Sequence, residues 1–138
     1  MSALSPTILL VEDNEDDVFA MQRAFRKAQI TQRVQIVSDG QKAMDYLSGI
    51  GAYADRESCP LPAVIFLDLK LPYVSGFEVL EWMREQAVLR DLSVVILTGS
   101  AEQIDRDRAA KLGVRAYVVK PPQPVELNNL INAVAAGA

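Results

Sequence analysis

The sequence of 138 residues contains no histidine and a single cysteine, Cys59. Without histidine the chain cannot build a Ser-His-Asp triad or a two-histidine zinc helix, and it cannot carry a phosphohistidine of its own. A single cysteine excludes an internal disulfide framework and a cysteine-based zinc site. The chain therefore lacks the residues for these sites and is typical of a protein from a reducing compartment.

The chain also lacks long hydrophobic segments and an excess of positive charge. Its uninterrupted apolar runs are far shorter than the roughly 20 residues that a membrane-spanning helix needs. Its first residues lack the pattern of a signal peptide, and its net charge of −4 gives no basic surface for nucleic acid. We therefore expect a cytoplasmic protein without membrane or nucleic-acid partners.

The composition is that of a globular protein, since half of the residues are apolar and 23% are charged. The length fits one domain. We expect a single domain over residues 1–138, with its core at about 6–136 and no output domain. The stretch Ser48–Pro62 is the one long irregular segment, and the sequence leaves its role open.

Five short apolar runs rich in β-branched residues predict strands. They are Ile8–Val11, Val34–Val37, Val64–Leu67, Val94–Leu97 and Tyr117–Val119. Four of the runs are nearly unbroken, as expected of parallel strands that are buried on both faces. The run Val34–Val37 contains Gln35, which favours an edge position.

Apolar periodicity and capping residues predict a helix after each run. Ser75 with Glu78 forms a capping-box pattern at the start of the third helix, and Ser100 with Gln103 repeats it at the start of the fourth. The other marks are the stripe Val18, Met21, Phe25 and Ala28 on the first helix, Asp39 before the second, Gly113 at the end of the fourth and Pro124 at the start of the fifth. The alternation predicts an α/β fold, with a parallel sheet covered by helices on both faces.

Polar side chains stand at the ends of four of these runs. Glu12 and Asp13 follow the first run, Asp68 the third, Thr98 the fourth and Lys120 the fifth. In an open α/β sheet, ligands bind outside the carboxyl ends of the strands, where the strand order reverses. We therefore expect one crevice with three carboxylates, a hydroxyl and an ammonium group.

Three carboxylates in one crevice repel one another, by on the order of 4 kcal/mol per pair at about 4 Å and an effective dielectric constant near 20. One lysine cannot offset this repulsion, but a divalent cation can, and an oxygen-only site favours Mg²⁺ over Zn²⁺. A carboxylate beside Mg²⁺, with a lysine and a hydroxyl opposite, is equipped to attack phosphorus and become an acyl phosphate.

The acidic residues Glu15, Asp16 and Asp17 fall at the predicted start of the first helix. Negative side chains there stabilise the positive end of the helix dipole. We assign Asp16 and Asp17 mainly to this role.

Four segments resemble the motifs of the receiver domain of two-component response regulators, and they follow one another in the order and at the spacing of that family. They are ILLVED at 8–13, VIFLDLKLPYVSG at 64–76, ILTGS at 96–100 and AYVVKP at 116–121. The resemblance extends over nearly the whole chain. It implies a flavodoxin-like (βα)5 three-layer sandwich with a parallel sheet of order 2-1-3-4-5.

The resemblance also implies a role for individual residues. Asp68 would be the phosphoacceptor, and Mg²⁺, or Mn²⁺ in its place, would bind Asp13, Asp68 and the backbone carbonyl of Lys70. Glu12 belongs to the same acidic pocket and would reach the metal through water. The remaining implied residues are Thr98, Lys120 and Tyr117, which bind the phosphoryl group or act as the switch, and Pro121, which follows a cis peptide bond.

The long Ser48–Pro62 stretch, the VEDNEDD opening and the expected lack of an output domain make the chain similar to the stand-alone regulators that partner phytochrome kinases. The resemblance implies a signalling protein rather than an enzyme with a turned-over substrate. Its phosphoryl group would come from a sensor histidine kinase. The fourth helix, fifth strand and fifth helix would form the surface read by partners and the possible homodimer contact.

Two alternatives stay open. A phosphohydrolase of the haloacid-dehalogenase type also uses an aspartate at a strand end, but it needs a second aspartate two residues later, where this chain has Lys70. A receiver-like module that binds partners without phosphorylation is the other alternative. The complete set Asp13, Asp68, Thr98 and Lys120 argues against it.

Overall fold

Five strands and five helices alternate along the chain in the computed structural model, which describes residues 7–135. The strands are β1 (Ile8–Val11), β2 (Val34–Val37), β3 (Val64–Leu67), β4 (Ser93–Thr98) and β5 (Ala116–Val119). The helices are α1 (Glu15–Lys27), α2 (Gly40–Ser48), α3 (Gly76–Arg84), α4 (Gln103–Lys111) and α5 (Pro124–Ala135). The predicted core limits, residues 6 and 136, lie just outside the described residues. Within the described range, no helix is long and apolar enough to cross a membrane.

All strand pairs are parallel, and the sheet order is β2-β1-β3-β4-β5. The predicted order is therefore confirmed, and β2 lies at an edge as Gln35 indicated. In register, Val11 at the end of β1 pairs with Leu67 at the end of β3, and Thr98 of β4 pairs with Val119 of β5. The residues that follow β1, β3 and β5 therefore leave the same edge of the sheet.

The sheet is buried between two helical layers, because successive strand side chains point to opposite faces. On one face the strand residues pack against α2, α3 and α4, with Tyr46, Leu80 and Met83 among the most deeply buried partners. On the other face they pack against α1 and α5, where Phe25 meets Phe66 edge to face at 5.5 Å. This arrangement is the predicted three-layer sandwich.

Most of the predicted helix ends are confirmed. Asp39 caps α2, and Ser75 with Glu78 forms a complete capping box at α3. The prediction that Ser100 caps the fourth helix is wrong, because α4 begins after Glu102 without a side-chain cap. The Ser100 hydroxyl instead donates to Asp105 Oδ2 at 2.7 Å.

The segment between α2 and β3 is held by hydrogen bonds and contains a 3₁₀ turn at Gly51–Tyr53. The Arg56 guanidinium donates to the carbonyl oxygens of Tyr46 and Cys59 at 2.8 and 3.0 Å, and to that of Leu47 at 2.8 Å. The carbonyls of Tyr46 and Leu47 belong to the last turn of α2, where helix carbonyl groups lack the regular hydrogen bonds of the helix interior. Arg56 therefore joins the segment to the end of α2.

We expect Arg56→Met to lower the free energy of unfolding by about 1–3 kcal/mol, because it removes the guanidinium donor from three carbonyl oxygens, of which that of Tyr46 keeps the Gly49 N–H. Urea unfolding measures this change. Arg90→Met, which removes an exposed guanidinium, is the control and should change the value by less than about 0.5 kcal/mol. Equal stability of the two variants would show that Arg56 does not hold the segment.

Candidate functional site

The polar residues predicted to converge do so at the carboxyl edge of the sheet. Carboxylate oxygens of Glu12, Asp13 and Asp68 all lie within 4.8 Å of one another. Glu12 and Asp68 are buried and Asp13 is exposed, so the group forms a pocket that is open on one side. These three side chains are the ones that could hold a divalent cation, because hard cations such as Mg²⁺ prefer carboxylate oxygen.

Burial shapes the charge of this pocket. It raises the pKa of the Glu12 carboxyl above its usual value, while the hydrogen bond from Lys120 lowers it and the negative charge of Asp68 raises it further. The Asn14 backbone N–H also donates to Glu12 Oε2 at 3.2 Å. The pocket therefore concentrates negative charge that needs a positive partner.

Among the described residues, Lys120 supplies the positive charge that contacts the carboxylates of the pocket. Its Nζ donates to Glu12 Oε1 at 2.5 Å, to Asp17 Oδ2 at 2.8 Å and to Asp68 Oδ2 at 2.9 Å. Burial acts to lower the pKa of Lys120, but the hydrogen bonds to Asp17, Glu12 and Asp68 outweigh it and hold the pKa well above that of a free lysine. The ammonium group is therefore charged throughout the physiological pH range.

Asp68 is fixed by its neighbours at both carboxylate oxygens. Oδ1 accepts from the Lys70 backbone N–H at 3.1 Å, and Oδ2 accepts from Lys120. The loop after Asp68 folds back so closely that a Cβ on Gly76 would lie 2.1 Å from the Asp68 carbonyl oxygen. Glycine at position 76 is therefore required by this contact, and the start of α3 helps to position the carboxylate.

Thr98 ends β4 and Tyr117 lies on the neighbouring β5, and the Thr98 carbonyl oxygen accepts from the Lys120 backbone N–H at 2.8 Å. The Thr98 side chain is fully buried, and its hydroxyl oxygen accepts from the Ser100 N–H at 3.4 Å. The Tyr117 hydroxyl donates to the Ser100 carbonyl oxygen at 2.8 Å, and the Arg106 guanidinium lies 4.8 Å from the ring centroid. Both residues therefore contact the loop that joins β4 to α4.

The sequence analysis missed the contact between Asp17 and Lys120, because it assigned Asp17 mainly to the start of α1. The cap of that helix is Asn14, whose side chain accepts from the Asp17 backbone N–H at 2.9 Å. The Asp17 side chain is thereby left to bind Lys120. The local sequence around Asp17 carries no signal for this contact, because its partner Lys120 is 103 positions away in the chain.

The site contains a carboxylate suited to nucleophilic attack but lacks the second aspartate that a dehalogenase-type phosphohydrolase needs. Asp68 is buried, oriented at both oxygens and next to an ammonium group that can neutralise phosphoryl oxygens. Two residues later the chain has Lys70, where a dehalogenase-type hydrolase has the aspartate that serves as its general acid. The geometry therefore supports formation of an acyl phosphate.

A family model of the response regulator receiver domain matches residues 8–132. The chain belongs to this family. The peptide bond between Lys120 and Pro121 in the receiver is cis, as predicted. The roles predicted for the individual site residues, including the metal contact of the Lys70 carbonyl, remain predictions at this point.

Several known proteins are similar to this receiver over most of its length. The probable methanogenesis regulatory protein FilR2 of Methanothrix harundinacea is 35% identical, over 92% of this chain and 79% of its own. Response regulator Rcp1 of Synechocystis is 33% identical, over 92% of this chain and 84% of its own. Its Mn²⁺-bound structure superposes with a TM-score of 0.76, at 33% identity over 96% of this chain and 91% of that one.

The bacteriophytochrome response regulator RtBRR is also similar in structure. It superposes with a TM-score of 0.83 at 41% identity, over 96% of this chain and 78% of that one. The chain is thus a two-component receiver whose relatives include phytochrome response regulators.

We expect Asp13→Asn to raise the free energy of unfolding by about 1 kcal/mol when Mg²⁺ is absent, because it removes one of three mutually repelling carboxylates. Urea unfolding in EDTA measures this. Asp16→Asn makes the same charge change on an exposed residue of α1 and should alter stability by less than about 0.5 kcal/mol.

Saturating Mg²⁺ should reverse the order of the wild type and Asp13→Asn, since a ligand that binds the folded state stabilises it. A loss of stability in Asp13→Asn without metal would contradict the view that repulsion dominates the pocket.

Proposed function

We propose that this receiver accepts a phosphoryl group on Asp68 from a sensor histidine kinase, in a reaction that depends on Mg²⁺. The observation that carries the proposal is the buried Asp68 carboxylate, within 4.8 Å of two further carboxylates and hydrogen-bonded to Lys120. A pocket with this charge suits a divalent cation and a phosphoryl group together.

In the proposed reaction, an Asp68 oxygen attacks the phosphorus of a phosphohistidine on the kinase. The new O–P bond forms as the P–N bond breaks, and the electron pair of that bond returns to the imidazole nitrogen. Lys120, already bonded to Asp68 Oδ2, stabilises the negative charge on the phosphoryl oxygens. Residues 1–138 contain no histidine, so the donor histidine lies outside them.

The carboxylates of Asp13 and Asp68 and the Lys70 carbonyl would hold Mg²⁺, with Glu12 in the same pocket through water. The bound cation would supply positive charge that offsets the repulsion between the carboxylates and the incoming phosphoryl group. Mn²⁺ has the same preference for oxygen ligands, and the Mn²⁺-bound structure of the relative Rcp1 supports it as a substitute.

Phosphorylation would change the conformation of the protein surface through Thr98 and Tyr117. The Thr98 hydroxyl would bind the phosphoryl group, and the loop that it contacts through Ser100 would move with it. Since Tyr117 donates to the same residue, a shift of this loop would change the position of its ring. We propose α4, β5 and α5 as the surface read by partners and as a homodimer contact, with phosphorylation shifting an existing equilibrium between two states.

The proposed kinase is of the phytochrome type, which is supported by the similarity to RtBRR at 41% identity. The receiver would act as a signalling protein in the cytoplasm and would catalyse only its own phosphorylation and dephosphorylation. We also propose that residues 1–138 form one receiver domain and that its output is a contact with another protein.

Acetyl phosphate with Mg²⁺ should add one phosphoryl group to the wild type, and the product should be stable in acid and labile in base. Asp68→Asn should abolish the labelling because it removes the nucleophilic oxygen, whereas Asp16→Asn should label like the wild type. Intact-protein mass spectrometry measures the product. EDTA should suppress labelling of the wild type, and labelling that persists in Asp68→Asn would place the phosphoryl group on another residue.

The kinase is tested by phosphotransfer from purified, radiolabelled histidine kinases, one of them a phytochrome. We expect transfer from the phytochrome kinase to be at least about tenfold faster than from the others, the ratio given by about 1.4 kcal/mol of preferential stabilisation. Faster transfer from an unrelated kinase would remove the phytochrome assignment and leave phosphorylation on Asp68 in place.

A further inference from the structure

Asp17 is the one partner of Lys120 in the described structure that lies outside the acidic pocket. The pocket consists of Glu12, Asp13 and Asp68, and Asp17 belongs instead to the first turn of α1. Its side chain is 41% exposed, compared with 1% for that of Glu12 and 8% for that of Asp68. Lys120 therefore joins a buried acidic group to a separate, partly solvated carboxylate.

A lysine ammonium group has three N–H donors and no acceptor. In this structure, all three donors of Lys120 have a carboxylate partner. Two of these partners, Glu12 and Asp68, supply the oxygens that surround the candidate cation position. The ammonium group and a divalent cation therefore compete for the same two carboxylates.

We propose that Asp17 is a positioning residue that retains the Lys120 ammonium group when a divalent cation enters the acidic pocket. A cation bound to Glu12 or Asp68 repels the ammonium group and takes part of its hydrogen bonding. Asp17 keeps a charge-assisted hydrogen bond to the ammonium group on the side away from the pocket. Without Asp17, Lys120 keeps only the partners for which the cation competes, and cation binding is weaker.

This inference rests on the proposed metal site, and metal affinity measures it directly. We expect Asp17→Asn to raise the Kd for Mg²⁺ by about threefold to tenfold, the effect of one charge-assisted hydrogen bond at a partly exposed pair. Isothermal titration of the metal-free protein with MgCl2 gives this value. The Asn14 cap bonds to the backbone of residue 17, so the variant keeps the cap of α1.

Asp16→Asn is the matched control, because it removes the same charge from the same helical turn. We expect it to change the Kd by less than about twofold, since exposed charges are largely screened by solvent. Asp17→Glu retains a carboxylate that can reach Lys120, and it should recover most of the wild-type affinity. A purely structural role of the aspartate would not be restored by the longer side chain.

A double-mutant cycle with Lys120→Met separates positioning from direct attraction of the cation. If Asp17 acts through Lys120, Asp17→Asn should have no more effect than Asp16→Asn in the Lys120→Met background. The ¹⁵Nζ signal of Lys120 gives a second measurement that does not require that variant: on addition of Mg²⁺, it should stay hydrogen-bonded in the wild type and exchange with solvent faster in Asp17→Asn.

Equal affinities of Asp17→Asn and Asp16→Asn would overturn the role of Asp17 and leave phosphorylation on Asp68 untouched. The same conclusion would follow if the effect of Asp17→Asn remained at full size without Lys120. Failure of the wild type to bind Mg²⁺ would instead overturn the proposed metal-dependent function, and the role of Asp17 with it.

Discussion

The sharing of one ammonium group by three carboxylates is the interaction on which the site depends. Lys120 follows β5, Glu12 follows β1, Asp68 follows β3 and Asp17 lies in the first turn of α1, so a single side chain joins four parts of the chain. Without the lysine, the negative charges of these carboxylates would repel one another, most strongly where they are buried. The sheet order brings these groups together, and the ammonium group of the lysine lies among them as the opposite charge.

The layered fold explains why the strands could be predicted well. Central parallel strands are covered on both faces, so they appear in the sequence as unbroken apolar runs. The boundaries of β1, β2 and β3 agree with those runs, whereas β4 extends by one residue at each end and β5 begins one residue earlier. Ser93 and Thr98, which end β4, are polar, and their backbone pairing is invisible to a hydrophobic pattern.

The prediction for Ser100 was wrong and the role given to Asp17 was incomplete, because both side chains have partners that the local pattern does not show. Ser100 has the spacing of a helix cap, but its hydroxyl is engaged by Asp105, and local hydrogen bonds of serine compete with capping. Asp17 has the position of a dipole-stabilising residue, but a lysine 103 positions away in the chain reaches its carboxylate. A local pattern describes neighbours along the chain and carries no information about partners that only the tertiary fold supplies.

The segment between α2 and β3 lies at the opposite edge of the sheet from Asp68. Arg56 in this segment binds the last turn of α2. The Ser58 carbonyl oxygen in the same segment accepts from Gln35, at the start of β2, at 2.7 Å. Substitutions there can alter the outer contour of the protein without disturbing the chemistry of the acidic pocket. Changes in the length or shape of this segment are therefore compatible with an unchanged reaction at the other end of the molecule.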